Sequence, residues 1–160
     1  MPAARIDEVR NEVTALAQAT RSAQELMQRM VKLLHERMLK YNWVGFYLLE
    51  PGAEPPMLVL GAFEGAVTPH TRIPLDQGIC GAAASCGRTV VVDDVRKDPR
   101  YLACSLETKS EIVVPIFANG KVVGELDIDS HFSAAFTPEH QDLVQHCATL
   151  VGKKLETSEH

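Results

Sequence analysis

Two apolar runs, residues 112–117 and 122–128, meet at Asn119-Gly120, a combination that is among the strongest short-range signals for an antiparallel hairpin. A chain that carries it contains antiparallel sheet, so half of the architecture follows before another residue is read. Three further runs agree. Residues 43–49 read as a buried strand ended by the turn residues Pro51 and Gly52, residues 57–63 as its antiparallel neighbour, and residues 89–92 as a short strand.

The two ends follow a helical period instead. Between Arg5 and about Leu39, the residues Leu26, Met30, Leu33 and Leu34 recur at three- and four-residue steps and form one apolar stripe. Thr20 or Ser22 is placed to cap a break between two helices. Near the other end, Thr137 before Pro138 is an N-cap followed by a first-turn proline, and the helix it opens runs to about Leu155. Residues 78–87 form a short helix of small residues, with Gly87 near its C-cap. Residues 93–110 are polar and irregular, long enough to be functional or to hide a short helix. The 160 residues show no internal repeat and no linker. They predict one α+β domain over 1–160, with N-terminal helices at about 4–39, sheet and pocket at about 42–130, and a C-terminal helix at about 138–155.

Composition excludes some functions. A net charge of −5 without a basic cluster argues against nucleic-acid binding, which needs cationic surface to displace counterions. The longest apolar runs are far too short to span a bilayer. The first residues run into charged helical pattern without an apolar signal segment, so a cytoplasmic location and no membrane partner are expected. In that compartment Cys80, Cys86, Cys104 and Cys147 are reduced by default. With no Cys-x-x-Cys pair among them, no structural zinc site is expected and the metal expectation is none.

The candidate site lies on the hairpin. Asp127 and Asp129 are two apart on a strand, so they share a face, while Glu111 opens the partner strand. A two-residue Asn119-Gly120 loop pairs Glu111 with Ile128 and turns it to the other face. A three-residue Ala118-Asn119-Gly120 loop pairs Glu111 with Asp127 and gathers three carboxylates. The three-residue form is the expectation. The plainer alternative is that both aspartates sit solvated at a strand end. Clustered carboxylates repel, so one of the three tends to keep its proton at neutral pH. That suits them both to hold an amine and to protonate a reacting atom.

Cys104 lies in the irregular stretch, seven residues before Glu111, where a thiol is more often reactive than on a packed helix. Cys80, among glycines and alanines, and Cys86 and Cys147, on apolar helical patterns, read as packing. Trp43 and Tyr47 share a strand face and can form a flat wall for an apolar ligand group. His70 reads by default as a surface residue.

Taken together, Asn42-Trp43-Val44-Gly45-Phe46-Tyr47, Arg72-Ile73-Pro74, Gly78-Ile79-Cys80-Gly81, Ala103-Cys104, Ser110-Glu111-Ile112-Val113-Val114-Pro115 and Leu126-Asp127-Ile128-Asp129-Ser130 resemble the free methionine-(R)-sulfoxide reductases, which are stand-alone GAF domains. The resemblance implies a GAF-like central antiparallel six-stranded sheet with N- and C-terminal helices packed on one side, as a homodimer. It implies an oxidoreductase that converts free methionine-(R)-sulfoxide to methionine through a cysteine sulfenic acid, with no cofactor and with thioredoxin or a low-molecular-weight thiol as reductant. Cys104 matches the attacking cysteine. Glu111, Asp127 and Asp129 match the substrate-binding carboxylates, Glu111 and Asp127 also serving catalysis, and Trp43 and Tyr47 match the aromatics at the methyl-sulfoxide end. His70 stands where the family has its resolving cysteine, which leaves Cys80 as the candidate for that role. The alternative function is a GAF module that binds a small polar ligand as a sensor without turnover.

Overall fold

A computed structural model of the chain describes residues 5–101 and 107–158. Its helical ends form as the apolar stripes require. Helix α1 spans Ile6–Ala19 and buries Val9, Val13 and Ala17, one residue per turn on one side. Helix α2 spans Ala23–Arg37. Ser22 is its N-cap and accepts from the Glu25 amide at 3.1 Å, while Glu25 accepts from the Arg21 amide at 3.1 Å, so both sides of the break have their orphan amides satisfied. Of the two candidate caps, Ser22 is the one used. Thr20 closes α1 instead.

Six strands follow: β1 Trp43–Leu49, β2 Met57–Glu64, β3 Arg72–Pro74, β4 Val90–Val92, β5 Ser110–Ala118 and β6 Lys121–Ser130. They form one sheet in the order β3-β2-β1-β6-β5-β4, with every neighbouring pair antiparallel. Helix α3, Gly78–Cys86, ends on Gly87 at φ 66, a left-handed cap that glycine adopts without strain. A single 3-10 turn at Val95–Lys97 sits inside the stretch expected to be irregular. Helix α4 spans Pro138–Ser158, three residues beyond the expected end, with the Thr137 carbonyl accepting from the Gln141 amide.

The sheet separates two apolar cores. On one side α1, α2 and α4 cover Val44, Phe46, Ile112, Ile116, Leu126 and Ile128, the expected arrangement of terminal helices on one face. On the other side α3 lies over Trp43, Tyr47, Leu58, Ile73 and Val113. Alternation along each strand sends every second residue of β1, β5 and β6 to this second face.

The hairpin overturns the expected turn. Ala118 pairs with Lys121, so the loop is the two residues Asn119 and Gly120, both at positive φ (53 and 77), the pattern that matches strand twist in tight hairpins. Further along, Phe117 pairs with Val122 but Ile116 pairs with Gly124. Val123 is a bulge residue that absorbs one position. Glu111 therefore stands opposite Asp129, not Asp127.

Candidate functional site

Strand β6 supplies most of the site. Glu125, Asp127 and Asp129 alternate with Leu126 and Ile128, so all three acids point to the α3 face, and the bulge at Val123 brings Glu111 to the same face. The carboxylates convergent here are thus the expected trio plus Glu125. None is more than 4 % exposed, which removes the solvated strand-end alternative. Among the described residues, Asp127 Oδ1, Asp129 Oδ1 and both Glu125 oxygens have no hydrogen-bond partner.

Burial at this density changes the acids. Burial first, and then the charges of Asp127 and Asp129, push the Glu111 carboxyl well above the usual range, and its hydrogen bonds to both aspartates favour its protonated form. Asp127 is also raised by burial, but its hydrogen bonds from Glu111 and Cys80 work the other way. Asp129 is raised well up by burial and by Asp127, against a hydrogen bond from Glu111. Burial likewise raises Glu125, with Cys80 opposing. Of the four acids Asp127 is raised least, because the hydrogen bonds from Glu111 and Cys80 oppose its burial, while burial, the neighbouring charges and its own hydrogen bonds all push Glu111 upward.

Cys80 packs into the second core, as expected, and also faces the acids. It is buried on the inner side of α3, and its thiol donates to Asp127 Oδ2 at 3.4 Å. Burial, then the charges of Asp127, Glu125 and Glu111, raise its pKa well above the ordinary thiol value. Cys86 is exposed and Cys147 is buried. The expectation of packing fails for Cys86, the exposed last residue of α3. Cys104, the expected attacking cysteine, lies outside the described residues.

Trp43 and Tyr47 share the face, as expected, with ring centroids 6.3 Å apart, and Phe63 of β2 stacks on Trp43 at 5.8 Å. The Trp43 indole donates to the Ala66 carbonyl at 3.0 Å. Its ring lies over Gly45, where any Cβ would run into it, so a glycine is what lets the tryptophan lie flat on the sheet. The Tyr47 hydroxyl donates to the His70 carbonyl at 2.7 Å. Contrary to the surface default, His70 lines the same small cavity as Tyr47, Cys80, Glu111 and Asp127. That cavity measures about 20 Å³. A wider groove of about 790 Å³ lies across the molecule beside Arg37, Tyr41 and His140, but there Arg37 is already paired with Glu12 at 2.7 Å and Tyr41 with His140 at 2.7 Å.

Glu125 and Phe63 were not singled out from the sequence. Glu125 carried a readable signal, because the two-residue step that joins Asp127 to Asp129 reaches it as well.

Comparisons with known proteins identify the family. Residues 22–155 match the GAF domain family. The free methionine-R-sulfoxide reductase of Escherichia coli K12 is 36% identical over 128 residues, 80% of this chain and 74% of that protein. The structure of free methionine-R-sulfoxide reductase from Neisseria meningitidis in complex with its substrate superposes with a TM-score of 0.90 at 33% identity, covering 99% of this chain and 95% of that one. A type II free methionine-R-sulfoxide reductase from Thermoplasma acidophilum superposes with a TM-score of 0.78 at 39% identity over 89% of this chain and 96% of its own. The chain thus belongs to the GAF domain family and, within it, to the free methionine-R-sulfoxide reductases.

Proposed function

We infer that this protein reduces free methionine-(R)-sulfoxide to methionine. The observation that supports it most is the buried convergence of Glu111, Asp127 and Asp129 beside Trp43 and Tyr47: one end of the site suits an α-ammonium and the other an apolar methyl-sulfoxide. Peptide-bound methionine has no free ammonium, so selectivity for the free amino acid follows from charge.

In the proposed reaction the Cys104 thiolate attacks the sulfoxide sulfur, and Glu111 gives its proton to the departing oxygen. The oxygen passes to Cys104. Its sulfur is oxidised by two electrons to the sulfenic acid, the substrate sulfur is reduced by two, and methionine leaves. The Cys80 thiol then condenses with the sulfenic acid, releasing water and forming a disulfide that thioredoxin or a small thiol opens. Asp127, which already accepts from the Cys80 thiol, is placed to take its proton. His70 presents no sulfur at the edge of the cavity, so the second thiol in this scheme is Cys80. A homodimer, a cytosolic setting and the absence of any cofactor belong to the same reading.

Purified protein is incubated with free methionine-(R)-sulfoxide and dithiothreitol, with Cys104→Ser as control. Methionine formed well above that control is the expected result; methionine at the control level overturns the reading and leaves a ligand-binding GAF module. Cys80→Ser separates the recycling step: activity kept with dithiothreitol and lost with thioredoxin is expected, and activity kept with both removes Cys80 from the scheme.

A further inference from the structure

We propose that Cys80, Glu111 and Asp127 form a binding site for one thiophilic divalent cation of the zinc class. One ligand atom from each, the Cys80 sulfur and a carboxylate oxygen from each acid, lies within 4.8 Å of the other two. Donors around a tetrahedral zinc, with bonds of about 2.0–2.3 Å, stand about 3.5 Å apart. The Cys80 sulfur and Asp127 Oδ2 are already at 3.4 Å. A Glu111 carboxylate oxygen lies within the same 4.8 Å.

Further observations fit a cation at this position. Asp127 lines the cavity, is 2 % exposed, and its Oδ1 has no hydrogen-bond partner among the described residues. Glu125, fully buried on the same face, has both oxygens in that condition. None of the ion pairs among the described residues involves Glu111, Glu125, Asp127 or Asp129.

The donor set selects the ion. A sulfur ligand beside two carboxylates favours zinc or cadmium over magnesium and calcium, which take oxygen ligands in larger numbers. Three protein ligands leave a fourth position for water, the arrangement of an open zinc site rather than a structural one. Occupancy ties up the Cys80 sulfur and the acids that face an ammonium; that consequence rests on the reductase reading, whereas ion binding does not.

Reduced protein, freed of reductant, is titrated with cadmium ion while the ultraviolet charge-transfer absorbance of the thiolate–cadmium bond is followed, and zinc ion is then added as competitor. One equivalent of cadmium, displaced by zinc, is expected. The band is lost in Cys80→Ser, with folding checked by circular dichroism, and kept in Cys86→Ser and Cys104→Ser. Glu111→Gln, with the thiol intact, weakens the affinity by about 10–100-fold or more. No band in the unmodified protein, a band that survives Cys80→Ser, a band lost with Cys86 or Cys104, or unchanged affinity in Glu111→Gln each overturns the site. Turnover is measured separately, so failure here leaves the reductase reading standing.

Discussion

Glu111 on β5 stands directly opposite Asp129 on β6, with Asp127 two residues along the same strand and on the same face. The pair divides the work. Burial first, and then the charges of Asp127 and Asp129, favour the protonated form of Glu111, so in the proposed reaction it is the proton donor. Glu111→Gln keeps the shape and removes the transferable proton. A fall in kcat of about 10²–10⁴-fold, the range for a lost general acid, is expected, with a much smaller change in KM. Steady-state kinetics decide it, and an unchanged kcat assigns proton transfer elsewhere.

In the proposed reading Asp129 helps to hold the substrate ammonium, so Asp129→Asn tests binding rather than the sulfur chemistry. Its effect falls on KM for the free amino acid. Loss of a buried charge-assisted hydrogen bond is worth about 1.5–3 kcal/mol, so kcat/KM drops on the order of 10–100-fold. N-acetylated methionine sulfoxide, which lacks the ammonium, is a poor substrate for the unmodified protein and gains no further penalty in the variant. Comparing the two substrates measures the coupling.

Glu125 is a fully buried acid without a hydrogen-bond partner among the described residues, and burial raises its pKa. An acid raised on folding binds more protons in the native state, so the stability it permits is present below its unfolded value of about 4 and is lost as pH climbs toward the raised value. Glu125→Gln, which cannot ionise, is therefore expected to stabilise the protein by about 1–3 kcal/mol at neutral pH. The advantage shrinks as pH falls to about 4. Urea unfolding of both proteins at several pH values is the measurement, and an advantage that grows on acidification contradicts the assignment.

Val123 is the residue that the ladder skips. Removing it lets Phe117–Val122 and Ile116–Gly124 become consecutive pairs and leaves Glu111 opposite Asp129. The deletion variant is expected to fold and to keep turnover within about tenfold, at a stability loss of about 1 kcal/mol for the lost valine packing. Inactivity in a folded deletion variant contradicts this account of the register.

Trp43 is the chain's single tryptophan, and it is stacked between the site and Phe63. Its emission is thus an uncontaminated reporter. Free methionine sulfoxide is expected to change the fluorescence saturably, and Gly45→Ala, which lifts the ring, to abolish that response.

Much of this was legible from residue order. The hairpin, the helical ends, the Ser22 and Thr137 boundaries and the common face of Trp43 and Tyr47 all follow from local period and cap chemistry. The register was not legible. It turns on whether one extra residue is absorbed in the loop or in the strand, and Gly124 decides this through a neighbour that local sequence does not reveal: β6 runs so close to Tyr47 and Leu48 of β1 there that a Cβ cannot be fitted. Strand β3 is three residues long and has no alternation to read. The cavity role of Cys80 and His70 depends on α3 and the segment before it folding back over the sheet, a long-range packing outcome.

The sheet with its unlike faces has an evolutionary consequence. The terminal helices and the oily side beneath them supply cohesion, while the uncompensated acids occupy the opposite side, beyond the backbone plane. Substitutions that retune the guest chamber therefore leave the foundation of the molecule intact, and the same frame can be refurnished for a different small guest one alternate strand position at a time.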